Sequence, residues 1–455
     1  MKKINKDIGP TKILLLSLIL IIMIGALVLN LPICNNKAIK MIDSIFVATS
    51  AVCVTGLTPI VPVEQFTIIG QIVLLALIQI GGIGLMTLIA VVIIFIGKKL
   101  NLSDKLIVRE SLNQDSLKGL VKLIKKICIY TFVIEFIGTI ILSVEFIPDF
   151  GLIKGTWYAI FHSISAFCNA GFDLLGEHSL NVYSENWIVC LTIMILIIIG
   201  GLGFTVWDDI IQNIKNKRKI SQLTVHTKIV LLVTSILLIS GTILIFFFES
   251  NNAQTMKYDS LGTKILKSAF QSTTLRTAGY ATVTQNELRS VSKLLAICFM
   301  FIGGSPASTA GGIKTVTLGV IILLIINYIK GKQDIIIFNR KISSGAVNRA
   351  IVVLIISIFI VITAVSLLLI SENWEMQKNH VQINDIVFEV VSAFATVGLT
   401  LGITPNLTFV GKIIIISLMI IGRLGPITIS IALFKKHKEA KQSKVQYPQG
   451  NVLIG

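Results

Sequence analysis

Four times along this chain a short glycine-centred segment lies between two long apolar runs, and that recurrence limits the possible folds more than any other feature. The segments are Cys53-Val54-Thr55-Gly56-Leu57, Cys168-Asn169-Ala170-Gly171-Phe172, Arg276-Thr277-Ala278-Gly279-Tyr280 and Ala395-Thr396-Val397-Gly398-Leu399. Their glycines stand 115, 108 and 119 residues apart. At position −6 from each glycine are Ser50, Ser165, Thr273 and Ser392, and at −10 are Phe46, Phe161, Ala269 and Phe388. Such a period, with an apolar–polar–apolar order inside each unit, reads as a fourfold repeat of helix, re-entrant loop and helix. Four such loops around one axis make a pore.

Composition sets the medium. Of 455 residues, 54% are hydrophobic and 14% charged, whereas a soluble domain carries about 25% charged residues, so this chain belongs in lipid. A helix crosses the hydrocarbon core with about 20 apolar residues. Eight stretches qualify, coarsely 11–33, 67–97, 127–147, 187–206, 229–248, 291–327, 350–370 and 408–434. The first is longer than the apolar region of a signal peptide and no small-residue cleavage site follows it, so it is expected to stay as a helix.

The net charge of +17 is distributed as topology rather than as a nucleic-acid surface. Segments 1–12, 98–126, 207–228, 328–349 and 435–455 hold 27 of the 40 Lys and Arg but 8 of the 23 acidic residues, a net +19. Lys and Arg near span ends mark the cytoplasmic side, which places both termini in the cytoplasm of a multi-pass plasma (inner) membrane protein. The expected fold class is an all-α polytopic membrane protein with four parallel helix–pore loop–helix repeats around one pseudo-fourfold axis. The repeats run over 1–97, 98–206, 207–327 and 328–455. The tail of the longest basic connection, Leu117 to Lys126, alternates apolar and basic residues. It suits an interfacial helix against anionic lipid headgroups, or a docking surface for a cytoplasmic partner.

A dehydrated cation needs oxygens in place of its water, and rings of backbone carbonyls supply them. Aiming successive carbonyls one way requires positive φ, which glycine adopts at little cost. The runs expected to coordinate the ion are Val54, Thr55, Gly56; Asn169, Ala170, Gly171; Thr277, Ala278, Gly279; and Thr396, Val397, Gly398. The competing reading, four surface turns punctuated by glycine, does not explain why they recur in register. A second motif follows: Gly81-Gly82-Ile83-Gly84, Gly200-Gly201-Leu202-Gly203, Gly303-Gly304-Ser305-Pro306 and Gly422-Arg423-Leu424-Gly425, lying 25, 29, 24 and 24 residues after the loop glycines. It is expected inside the second helix of each repeat, as a small-residue packing surface.

Two of these sites ask for more than packing. The stretch 303–315 interrupts an apolar run, and irregular backbone at membrane depth must be satisfied by protein or water. A loop lining a cavity and a simple kink are both open. It lacks the adjacent Gly-Lys pair of a phosphate-binding loop. Arg423 sits inside the last apolar run, where a charge points to function unless it snorkels. Glu135, also mid-span, is either a helix-packing partner or part of a pathway. His162 suits packing better than ligation. The six cysteines show no paired spacing, so neither a disulfide framework nor a zinc site is supported. No nucleophile–base grouping argues for an enzyme.

These segments, with Gly303 to Thr315, resemble the Trk/Ktr/HKT superfamily of potassium transporters over essentially the whole chain. The start at the first repeat and the ending Tyr447-Pro448…Val452-Leu453-Ile454-Gly455 look like the Ktr-type membrane subunit. The resemblance implies potassium uptake through a filter with one glycine per repeat, here Gly56, Gly171, Gly279 and Gly398. Plant relatives with a serine at the first of these positions select sodium, so Gly56 favours potassium. It also implies that the 303–315 insertion is a gate, built from Gly303, Gly304, Ser305, Ser308, Thr309, Gly311, Gly312 and Lys314, and that Arg423 faces the cavity below the filter. Further implications are a homodimer, a cytoplasmic ring of nucleotide-binding regulatory subunits, and sodium as a coupled or activating ion. No covalent cofactor is implied, and nucleotide would act only through the partner. The rival readings are a sodium-conducting channel of the same architecture and the ion-conducting subunit of an ATP-driven potassium pump.

Overall fold

In a computed structural model of the chain, residues 10–95, 101–111, 119–176, 179–331, 334–373, 381–426 and 428–430 are described. The 435–455 tail lies outside them. The fold is almost wholly helical, with one small hairpin, Ile336–Ile337 and Arg340–Lys341. Among the described residues, four helices are long and apolar enough to cross a membrane: α1 (Pro10–Leu29, crossing over Thr11–Leu29), α7 (Leu120–Phe150), α11 (Val225–Glu249) and α15 (Ser344–Ser371). Each is followed by a shorter helix: α2 (Met41–Val52), α8 (Leu152–Phe167), α12 (Leu261–Thr274) and α16 (Ile383–Ala395). After a glycine segment a second apolar helix leads away: α4 (Ile68–Ile83), α9 (Trp187–Leu202), α13 (Ser290–Phe301) and α17 (Phe409–Leu424). Between these, α3 (Pro62–Gln65), α5 (Leu85–Phe95), α6 (Leu102–Ser111), α10 (Phe204–Lys215) and α14 (Thr315–Ile329) complete the order.

The second apolar stretches correct one expectation. None is a single straight span. The last glycine of the repeated motif caps the helix with positive φ, +88° at Gly84, +95° at Gly203 and +86° at Gly425. L-residues rarely take that conformation, so a glycine there ends the helix. The chain turns 97° between α9 and α10. The first glycine of the motif does allow close packing, though against the preceding short helix. A Cβ on Gly81 would lie 2.3 Å from the Val52 carbonyl, one on Gly200 1.9 Å from that of Phe167, and one on Gly422 1.9 Å from that of Phe394. In the third repeat the equivalent contact is made by Gly303 against the Gly311 carbonyl of the inserted loop.

A recurrent anchor sets the second helices. Near the C-terminal ends of three long helices stand Glu145 and Glu372, each 26 residues before its glycine, and Glu249, 30 residues before. Glu145 accepts from Asn186 Nδ2 at 2.7 Å. Glu249 accepts from the Arg289 N–H (3.0 Å) and the Ser292 hydroxyl (2.5 Å), and Glu372 from the Thr408 N–H (3.1 Å) and hydroxyl (2.6 Å). A carboxylate at a helix N-terminus satisfies orphan N–H groups and meets the positive end of the dipole. Asp43 of α2 pairs with Lys412 of α17 at 2.6 Å, joining the first and last repeats. Phe46, Phe161 and Phe388 are fully buried; in the third repeat the buried ring is Phe270, one residue later than Ala269. Leu120 to Lys126 is not a separate interfacial helix but the opening of α7, with Lys126 paired to Asp208 of α10; residues 112–118 lie outside the described chain.

Candidate functional site

Three of the four short helices end in the same hydrogen-bonded cap. In the first repeat the Val54 N–H donates to the Ala51 carbonyl (3.1 Å) and the Thr55 N–H to that of Ser50 (2.8 Å). In the second, Asn169 donates to Ala166 (3.0 Å) and Ala170 to Ser165 (2.8 Å); in the fourth, Thr396 donates to Ala393 (3.2 Å) and Val397 to Ser392 (2.8 Å). This is the Schellman arrangement, and it requires a left-handed residue just past the helix. That residue, two before the glycine, has φ of +56° at Val54, +59° at Asn169 and +53° at Thr396, and Thr277 in the third repeat has +65°. A β-branched residue in that region is strained, yet three of these four are β-branched.

The glycine then takes positive φ again: +97° at Gly56, +68° at Gly171, +80° at Gly279 and +94° at Gly398. The residue before each glycine presents its carbonyl to the glycine of a neighbouring repeat. Ser50 and Ser392, at −6, accept from the glycine N–H at 3.0 and 3.1 Å. In the second and third repeats the hydroxyls of Ser165 and Thr274 donate to the Phe172 and Tyr280 carbonyls, at 2.8 and 2.6 Å.

These four segments meet in a closed cycle. A Cβ on Gly56 would approach the Ala170 carbonyl to 2.7 Å, and one on Gly171 that of Ala278 to 2.5 Å. One on Gly279 would approach that of Val397 to 2.7 Å, and one on Gly398 that of Thr55 to 2.1 Å. Each glycine thus abuts the carbonyl of the next repeat, and the fourth closes on the first. The hydroxyl oxygens of Thr55, Thr277 and Thr396 are buried there without a protein partner. Buried polar atoms are almost always satisfied; the Thr396 hydroxyl faces Gly311 of the inserted loop rather than the cycle.

The residues 302–314 pack against this ring from the side of the second helices. Ser305 and Thr309 donate their N–H groups to the Gly201 (3.0 Å) and Gly200 (3.3 Å) carbonyls, and the Ala307 carbonyl accepts from Phe204 (2.8 Å). The Thr309 hydroxyl donates to Asn169 Oδ1 at 2.7 Å, a direct link to the second loop. The Ser305 and Thr315 hydroxyls bond at 3.0 Å, Ser308 donates to the Ser305 carbonyl at 2.7 Å, and Lys314 Nζ to that of Ala310 at 2.6 Å. Gly304 packs on Ala310 and Gly311 on Thr396. Gly312 has φ +68° beside Ala395. Arg423 donates to the Thr309 and Gly81 carbonyls, which ties loop, first repeat and last repeat together, so its guanidinium does not snorkel. Among the described residues no carboxylate pairs with Arg423 or Lys314.

Glu135 accepts from Gln79 Nε2 at 3.0 and 3.1 Å, with the Cys168 thiol beside both, so it joins α7 to α4 behind the second loop. His162 is buried, bonded to the Tyr158 carbonyl at 2.7 Å and packed on Phe146 and Tyr280. Sequence reasoning missed Gln79, Asn169 as a bridge to the insertion, and Arg276. The last carried a signal: it is a cation three residues before a loop glycine, where the other repeats have Cys53, Cys168 and Ala395.

A family model described as cation transport protein, TrkH, matches residues 11–445. The chain belongs to that family. Among relatives of the TrkH-family chain, the potassium/sodium uptake protein NtpJ of Enterococcus hirae is 38% identical over 456 residues, covering 100% of this chain and 99% of the other. The Ktr system potassium uptake protein B of Bacillus subtilis is 39% identical over 446 residues, covering 98% and 97%. The crystal structure of the potassium transporter TrkH from Vibrio parahaemolyticus superposes with a TM-score of 0.74 at 18% identity, over 95% of this chain and 86% of that one, which shows a shared fold.

Proposed function

We propose that this TrkH-family protein takes up potassium through a filter formed by the four glycine segments, each repeat supplying the three residues that end at its glycine. The closed cycle of glycine-to-carbonyl contacts carries this reading. It gathers backbone oxygens of four repeats at one place, turns the N–H groups away and leaves room for no side chain at the glycines. Oxygens so held replace a cation's hydration shell. The names of the relatives, potassium uptake and potassium/sodium uptake, support the choice of ion. The loop 303–315 is the gate beneath the filter and Arg423 the fixed charge that holds it. The basic segments face the cytoplasm, where a nucleotide-binding ring controls a homodimer and sodium promotes transport. The limits 97, 206 and 327 separate the four units.

The test is uptake of rubidium-86 into vesicles reconstituted with the pure protein, under an outward potassium gradient. Uptake is expected, with potassium competing far better than sodium. No uptake above empty vesicles sinks the transport reading. Equal competition by the two ions favours a second reading, conduction of sodium as well, which the potassium/sodium name of the Enterococcus relative supports and Gly56 opposes.

A further inference from the structure

In the first two repeats the second residue of the repeated motif faces the residue three before the glycine of the next repeat. Gly82 faces Cys168, its Cβ position 2.4 Å from the thiol sulfur. Gly201 and Arg276 line one small cavity. In the third repeat the insertion intervenes, and Gly312 meets Ala395. At the junction of the fourth and first repeats, Arg423 donates to the Gly81 carbonyl. Two of the four junctions therefore hold a guanidinium. It comes from the inner helix at the junction of repeats four and one, and from the loop at the junction of repeats two and three. These junctions are diagonal to each other across the ring.

Arg276 is 6% exposed. Its Nε has no hydrogen-bond partner, and among the described residues no carboxylate pairs with it. The cavity it enters, about 10 Å³ between Ile197, Ile198, Gly201, Leu238 and Thr273, has space for about one water. A buried charge without a partner is costly to keep for packing alone. The Gly201 carbonyl at this junction also receives the Ser305 N–H of the inserted loop.

We infer that Arg276 is a second positioning charge of the ion path, the diagonal counterpart of Arg423, and that it weakens cation binding at the inner end of the ring so that the ion can leave. The inference rests on the filter reading above. Three residues of chain keep the Arg276 Cα within about 11 Å of the Gly279 Cα, and a guanidinium about 10 Å from the ion is taken for the magnitude. At that distance and an effective dielectric of about 20, a unit charge changes cation occupancy by about tenfold.

The experiment measures rubidium KM and Vmax in reconstituted vesicles, with detergent gel filtration to count folded protein. R276Q is expected to lower KM by about tenfold and lower Vmax with it, because a tightly held ion leaves slowly. R276K is expected to stay near the wild-type KM. The exchange G201R/R276C, which returns the charge from the inner helix as in the fourth repeat, is expected to restore KM. Gly201 accepts a side chain, since its Cβ position meets nothing nearer than Asn169 Nδ2 at 3.7 Å. Folded R276Q with unchanged KM overturns the inference. If R276Q does not fold, the exchange decides: wild-type KM supports it, while a lowered KM or a second failure to fold overturns it. Wild-type protein that takes up nothing sinks the filter reading instead, so the two failures are told apart.

Discussion

Gly398→Ala isolates the closure of the ring, because Gly402, a few residues away, provides a matched control. The two glycines have nearly the same backbone, φ +94° and +95°. An alanine held there costs about 1–3 kcal/mol of strain in either place. What surrounds them differs. A Cβ on Gly402 meets nothing within 4 Å, whereas one on Gly398 sits 2.1 Å from the Thr55 carbonyl oxygen and 3.0 Å from the Gly56 Cα. Reaching even 3.0 Å requires the Thr55 oxygen to retreat by 0.9 Å (3.0 minus 2.1), and that oxygen belongs to the next filter segment. Losing one charge-directed oxygen contact costs about 2 kcal/mol, which is about thirtyfold in potassium affinity at 1.4 kcal/mol per decade. Competitive rubidium uptake against sodium and a thermal-shift midpoint in detergent read the two effects separately. Both variants are expected to lose stability, Gly398→Ala more because of its clash with the Thr55 carbonyl, and only Gly398→Ala to lose discrimination against sodium. If the two variants transport alike, the ring is not where ions are selected.

Arg423→Gln removes two hydrogen bonds from a charged donor, each about 1.5–3 kcal/mol, between the inserted loop and the first repeat; basal rubidium flux is expected to rise several-fold with protein amount little changed. Collapse of expression instead marks Arg423 as a structural donor. Shortening the loop within 305–312 is expected to raise basal flux, and a stable deletion with unaltered or lower flux argues for a packing kink. Asp43→Asn strands the buried Lys412 ammonium and is expected to cost about 3–5 kcal/mol, read as a lowered unfolding midpoint in detergent, with D43L/K412M recovering most of it.

The sequence displayed the four loops because their demands are local. A glycine with positive φ, a hydroxyl at −6 and an aromatic at −10 act within one helix and its cap, so they recur at fixed spacing. The helix ends at Gly84, Gly203 and Gly425 stayed hidden because an apolar run has the same hydropathy whether its helix continues or, as at Gly203, turns through 97°. The left-handed residues were illegible for the opposite reason. Val54, Thr277 and Thr396 are types that propensity assigns to strands, and only the surrounding contacts hold them at φ +53° to +65°. The carboxylate anchors were long-range: Glu372 meets Thr408 across 36 residues, and nothing local to either one announces the other.

The strain at the ring has an identifiable restraint. At −4 from the glycine, the carbonyls of Val52, Phe167 and Phe394 are covered by Gly81, Gly200 and Gly422. The motif that ends three of the second helices is therefore also the one that presses on the base of a glycine segment. The third repeat keeps the left-handed Thr277 and the positive-φ Gly279 but departs in its cap and its packing. Its cap is a looser bond from Ala278 to Thr274 (3.1 Å), and its Thr273 hydroxyl turns back to Ala269 (2.8 Å) rather than to the glycine. Arg276 replaces the small residue, and Gly303 is covered by its own inserted loop. Coordination of an ion needs four units of similar geometry, whereas opening needs only one that differs. If the inserted loop is the gate proposed above, its movement must break its bonds to Gly200, Gly201 and Asn169 of the neighbouring repeat, while the three Schellman-capped segments keep their own.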